Sequence, residues 1–147
     1  MTDASGHVPI LVPGWVKTEE AYHIRLRTES FSSLPLIDKQ LAPSLLKSAT
    51  LYHDIARWYC HLLLLMPDHL HALLVFPRNR KMSEVIADWK GAQTKQLKIQ
   101  WQGNFYEEMI SHGPELEAKA AHIRRNPSVK NLCAKESDWP WVISHPV

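Results

Sequence analysis

The side chains best suited to chemistry sit in one short string, Met66-Pro67-Asp68-His69-Leu70-His71. Alternate residues of a β-strand point to one face, so His69 and His71 would project side by side, about 7 Å apart along the backbone. Two neutral imidazoles at that spacing can converge on one metal ion, each ring nitrogen about 2 Å from it. A pair of hydrogen-bonded histidines on a wet sheet face, with no ion, is the other reading of the same pattern. The flanking residues are strongly apolar, and polar rings on a buried strand require partners.

Those histidines need a strand, and the local pattern supplies it. Residues 58–66 form an apolar run that reads as a strand buried on both faces, and residues 69–76 read as the returning strand. Pro67-Asp68 is turn chemistry, and a link this short makes a hairpin. Residues 21–28 alternate, with His23, Arg25 and Arg27 on one face and Tyr22, Ile24 and Leu26 on the other, a half-buried strand. A short helix is expected over about 39–51, entered through Pro43. A second is expected over Met82–Ile99, capped by Ser83, with Val85, Ile86, Trp89 and Leu97 inward and a ridge of Lys90, Thr94 and Lys98. Phe105–Ile110 reads as a last strand. Gly113-Pro114 opens a third helix that Pro127 should end near Arg125, and the tail with Trp139 and Trp141 should lie back on the core.

The resulting order, β-α-β-β-α-β-α, predicts an α+β fold: a ferredoxin-like antiparallel sheet with helices packed on one face. Residues 1–20 are expected to be an irregular N-terminal lead-in, and residues 21–147 a single domain.

The 147 residues suit one domain with a real core. A content of 45% hydrophobic and 22% charged residues excludes extended disorder as the main state. The longest apolar stretch is far too short to span a bilayer. The N-terminal residues lack the pattern of a secretory signal, and Cys60 and Cys133 form no close pair, which fits a reducing, cytoplasmic setting. Residues 77–135 carry 11 Lys/Arg against 6 Asp/Glu, whereas the remainder is net acidic. That asymmetry points to a polyanion partner or, equally, to a solvated helical face.

Several strings together resemble the single-tyrosine HUH (IS200-like) transposases, in the branch of the REP-associated tyrosine transposases. They are Tyr22-His23-Ile24-Arg25-Leu26-Arg27-Thr28, the Met-Pro-Asp-His-Leu-His string, Lys90 in a Trp-Lys-Gly helix, Trp101-Gln102-Gly103-Asn104-Phe105-Tyr106, His122-Ile123-Arg124-Arg125-Asn126-Pro127 and Trp139-Pro140-Trp141. The resemblance spans roughly residues 20–142. It implies a ferredoxin-like domain, commonly a homodimer, that binds single-stranded or hairpin DNA. It also implies a divalent ion, Mg2+ or Mn2+, held by His69 and His71 with Asn126 as third ligand. In that family a helix-borne tyrosine attacks the scissile phosphate, leaving a 5′-phosphotyrosine and a free 3′-hydroxyl, a route to DNA transposition.

At the nucleophile's position this chain has His122. Three readings follow: a DNA-binding or regulatory descendant without nicking activity, nicking through a substitute tyrosine with Tyr106 the candidate, or a role for His122 itself as ligand or phosphoryl acceptor. Three histidines and an amide would suit Zn2+ or Mn2+ better than Mg2+. Water in place of tyrosine, as in a phosphodiesterase, is a further alternative. Arg25, Arg27, Lys90, Lys95, Lys98, Arg124 and Arg125 are the candidates for phosphate contacts. Trp101, Trp139 and Trp141 would either stack on bases or pack in the core, and Glu107 and Glu108 would lie near the ion or at a solvated strand end.

Overall fold

The computed structural model describes residues 12–32 and 34–146. Five strands form one antiparallel sheet: β1 (Ala21–Arg27), β2 (Tyr59–Leu65), β3 (His69–Val75), β4 (Tyr106–Ile110) and β5 (Val142–Ser144). Their order across the sheet is β4-β1-β3-β2-β5. The first four reproduce the ferredoxin-like arrangement, and β5 adds a short edge strand against β2. The α-helices are α1 (Gly14–Thr18), α2 (Leu41–Asp54), α3 (Met82–Leu97) and α4 (Pro114–Val129). Part of the expected irregular lead-in is thus the helical turn α1, which buries Val16; residues 1–11 lie outside the described residues.

The α+β class and the antiparallel sheet are as expected, but the helices divide between two faces. Val85, Ile86 and Trp89 of α3 and Leu45 and Ala49 of α2 pack on the face formed by Ile24, Leu26, Leu63, Leu65 and Leu74. On the opposite face, Leu116 and Ile123 of α4 meet Leu62, Leu64, Leu73 and Val75. All seven residues of β2 are buried, because this central strand has a layer on each side. Each of its leucines removed from water contributes roughly 2 kcal/mol.

Period-two alternation lets β2 feed both layers, and a β-bulge interrupts it once. Cys60 pairs with Leu74 and Leu62 with Leu73, which leaves His61 as the extra residue. Its ring Nδ1 reaches the carbonyl of Pro146 at 3.2 Å, so it donates there, while Nε2 is buried without a partner. Burial pushes the pKa of His61 down to about 4, against an opposing hydrogen bond to Pro146. Nearby His53 is also lowered, first by burial and then by His145, whose ring stacks on it at 3.5 Å. Both groups have folded-state pKa values below the unfolded one near 6.5. The unfolded chain therefore takes up protons first as pH falls. Stability contributed by these rings is complete above about pH 6.5 and is lost progressively toward pH 4. Urea unfolding midpoints should fall across that window, and His61→Leu should make the fall shallower; an unchanged slope would remove His61 as a cause.

Two helix ends differ from the sequence expectation. The N-cap of α3 is Lys81 with no side-chain hydrogen bond, so Ser83 does not cap it. Pro127 lies inside α4, which runs on to Val129 instead of ending near Arg125. A proline in a helix removes one backbone bond, and here Pro127 is buried. This extension keeps Asn126 on the helix.

Among the described residues, no helix is long and apolar enough to cross a membrane.

Candidate functional site

The face of the sheet under α4 is apolar along β2 but polar where β1, β3 and β4 meet. Period-two alternation sends His23, Arg25 and Arg27 of β1 to that face, and His69 and His71 of β3 beside them. The antiparallel register sets Arg25 opposite His71 and Arg27 opposite His69, and Tyr106 of β4 opposite Arg25. Helix α4 closes the space from above with Lys119, His122, Asn126 and Lys130, spaced three or four residues apart and so on one helical face. Between the two layers lies an open cavity of about 430 Å3.

Each histidine is held differently. His69 donates Nδ1–H to Asp68 Oδ1 at 2.7 Å, and Arg27 donates to the other carboxylate oxygen at 3.3 Å. The His69 hydrogen bond, ahead of Arg27, holds Asp68 below the usual carboxylate range. This carboxylate–imidazole pair fixes the tautomer of His69 and leaves Nε2 with its lone pair. The ring of His71 stands 5.0 Å from that of His69, nearly perpendicular at 79°. Its Nε2 lies 3.2 Å from Asn126 Nδ2, and its Nδ1 lies 3.0 Å from His23 Nε2.

Burial governs protonation here. It pushes His71 down to about 3, helped by His69 and His23, and His23 down to about 4, helped by Lys119. His69 is lowered as well, mainly by burial and against the pull of Asp68. All three rings are neutral at pH 7, the state in which imidazole ligates metals. The cations Arg25, Arg27, Lys119 and Lys130 surround them. Lys119 pairs with Glu108 at 3.1 Å, and Arg25 lies 4.8 Å over the Tyr106 ring.

The expected residues separate into two groups. His69, His71, Asn126, His122, Arg25, Arg27 and Tyr106 all line the cavity. Tyr106, 40% exposed, therefore reaches the site despite lying on a strand, because β4 is the edge neighbour of β1. Lys90, Lys95 and Lys98 do not reach it: α3 buries its apolar face against the opposite side of the sheet. Lys90 instead donates to the Gln102 carbonyl at 2.9 Å. Arg124 lines a separate groove with Glu136 and Trp139, and Arg125 is exposed outside the cavity. The α4 cations that do face the site are Lys119 and Lys130, recoverable from their spacing to His122 and Asn126. His23 also lines the cavity, and Glu108 contacts it through Lys119. Trp139 is buried and donates to the Leu65 carbonyl, so it offers no free face for a base, and the half-buried Trp101 packs 6.0 Å from Trp89.

Among the described residues, no three His, Cys, Asp or Glu side chains are grouped to hold a metal ion, so the trio of His69, His71 and His122 that zinc would favour is not assembled. What converges is two imidazoles and one amide. Imidazole nitrogens suit first-row transition ions better than Mg2+, and Asn126 would ligate through its side-chain oxygen, whereas Nδ2 is the atom that lies 3.2 Å from His71 Nε2.

No protein-family model matches the chain, and a search of curated proteins finds no match. Solved structures do resemble it. A REP-associated tyrosine transposase bound to a REP hairpin superposes with a TM-score of 0.72 at 17% identity, over 92% of this chain and 82% of that one. A candidate transposase from Deinococcus radiodurans superposes with a TM-score of 0.56 at 18% identity, over 84% of this chain and 97% of that one. The chain thus has the fold of these transposase structures.

Proposed function

We propose that this chain is a transposase-like DNA-binding protein that takes single-stranded or hairpin DNA into the cavity between α4 and the β1–β3–β4 end of the sheet. The observation that carries the reading is the ring of four cations around three neutral histidines in one open cavity. Such a site attracts a phosphate backbone and presents uncharged nitrogen ligands at the same point. The likeness of the fold to a transposase bound to a DNA hairpin supports DNA as the polyanion.

Arg25, Arg27 and Lys130 contact backbone phosphates in this reading, and the half-exposed Tyr106 ring offers a stacking surface for a base. His69, His71 and Asn126 would hold Mg2+ or Mn2+, which when bound would stabilise charge on a phosphate oxygen. A homodimer, implied by the sequence resemblance, is part of the same reading.

Strand cleavage is the part that the site supports least, because the helix position facing the histidines carries His122. That observation favours a second reading, a DNA-binding or regulatory protein without nicking activity. Fluorescence anisotropy with a labelled hairpin oligonucleotide bearing a single-stranded extension, at low salt with Mn2+, tests both. Saturable binding is expected, competed better by single-stranded than by blunt duplex DNA. Absence of binding would overturn the DNA assignment. If binding persists in His69→Ala and neither form gives a cleaved product, the non-nicking reading holds.

A further inference from the structure

His23, another histidine lining the cavity, is largely buried and meets His71 edge to edge. Their ring planes differ by 22° and their centroids are 5.2 Å apart, while Nε2 of His23 and Nδ1 of His71 are 3.0 Å apart. Near-coplanar rings at that separation share a hydrogen bond in the plane of both. Both residues are buried, and a 3.0 Å contact between two ring nitrogens requires one to donate and the other to accept. The placement of one proton therefore dictates the next.

The order of protons follows from the two ends of the chain. At one end, Asn126 presents Nδ2 to His71 Nε2, and an amide nitrogen only donates. His71 then accepts at Nε2, carries its proton on Nδ1 and donates it to His23 Nε2. His23 must carry its own proton on Nδ1. At the other end, that Nδ1 is buried without a hydrogen-bond partner, and Glu108 Oε1 lies 3.9 Å from it. Glu108 is held ionised by Lys119, 3.1 Å away. The reverse order would turn the His23 Nδ1 lone pair toward the carboxylate, whereas the first order turns an N–H toward it, the electrostatically favoured arrangement. The carboxylate thus selects one of the two orders independently of Asn126.

We propose that His23, backed by Glu108, is a positioning residue: it fixes the tautomer of His71 so that the Nε2 lone pair is directed to the Asn126 side of the cavity. The proposal rests on the reading of His71 as a ligand in a DNA-binding site, but it makes its own claim about the protein without DNA or ion. It also assigns a use to Glu108, which pairs with the cavity-lining Lys119.

The test is nitrogen-detected NMR of the histidine side chains in the metal-free, DNA-free protein at pH 7.5. The expected result is a His71 ring with its proton on Nδ1 and an unprotonated Nε2. His23→Phe, which keeps a flat ring but removes the acceptor, should move the His71 Nδ1 resonance toward the unprotonated value. His23→Gln, whose side-chain oxygen can still accept, should restore most of the wild-type pattern. Mn2+ affinity, measured separately by electron paramagnetic resonance, should fall about tenfold in His23→Phe, the loss typical of an outer-shell partner. A wild-type His71 protonated on Nε2, or a His23→Phe spectrum with the His71 tautomer unchanged in a folded protein, would overturn the proposal. Failure of DNA binding with the expected tautomer intact would instead overturn the functional reading alone.

Discussion

A covalent protein–DNA adduct is the expected product when His122→Tyr protein is incubated with a hairpin oligonucleotide and Mn2+, with no such band from the natural chain. His122 lines the cavity on α4, one turn before Asn126, so a tyrosine there would face His69 and His71 from the same helical face. Its phenolic oxygen would attack phosphorus, the bond from phosphorus to the 3′ oxygen would break, and that oxygen would leave with a proton as a free 3′-hydroxyl. The adduct is read as a labelled species that survives denaturing gel electrophoresis. An empty lane for the folded, DNA-binding variant would mean that more than the nucleophile is missing. An adduct already present in the natural chain and lost in Tyr106→Phe would transfer the role to Tyr106, which shares the cavity and packs 5.5 Å from the His23 ring.

The second large effect concerns affinity. Replacing Arg25, Arg27 and Lys130 together by glutamine removes three of the four cations around the cavity while leaving the Lys119–Glu108 pair in place. Counterion release at single strands gives a slope of about −0.7 per neutralised phosphate in log K against log salt, so removing three cations makes the slope shallower by about 2. At 0.1 M salt the same relation predicts a loss of about a hundredfold in affinity. Replacing Lys95 and Lys98 by glutamine should leave affinity near that of the natural chain, because α3 packs on the far face. Equal losses in both variants would move the DNA path off the cavity.

That contrast between lysines shows where sequence reading stops. The basic residues of α3 and α4 are alike in composition, and both helices follow a strand. Which face of the sheet a helix covers depends on the crossover between strands, which no local period records. One clue was present: a strand as apolar as residues 58–66 needs cover on both sides, and α4 provides the second layer. The adjacent Arg124 and Arg125 stand next to Asn126 in the chain, yet helical geometry turns them about 100° per residue away from it. Lys119 and Lys130, more distant in sequence, share its face. Pro127 misled in the other direction. Its local preference argues for a helix end, but the residue is buried and the helix runs on to Val129.

What the chain's order of residues determined alone is the succession of elements from β1 to α4 and the His69–His71 pair, since strand alternation, helical period and turn chemistry act between near neighbours; α1 and β5 were not read from it. Only the tertiary structure decided that β1 lies beside β3, which brings His23 against His71. It also decided that α4 lies over that junction, which brings Asn126 and His122 to the same cavity. Those contacts join residues 48 and 55 positions apart. They arise because buried polar groups must find partners wherever strand order and helix packing place them.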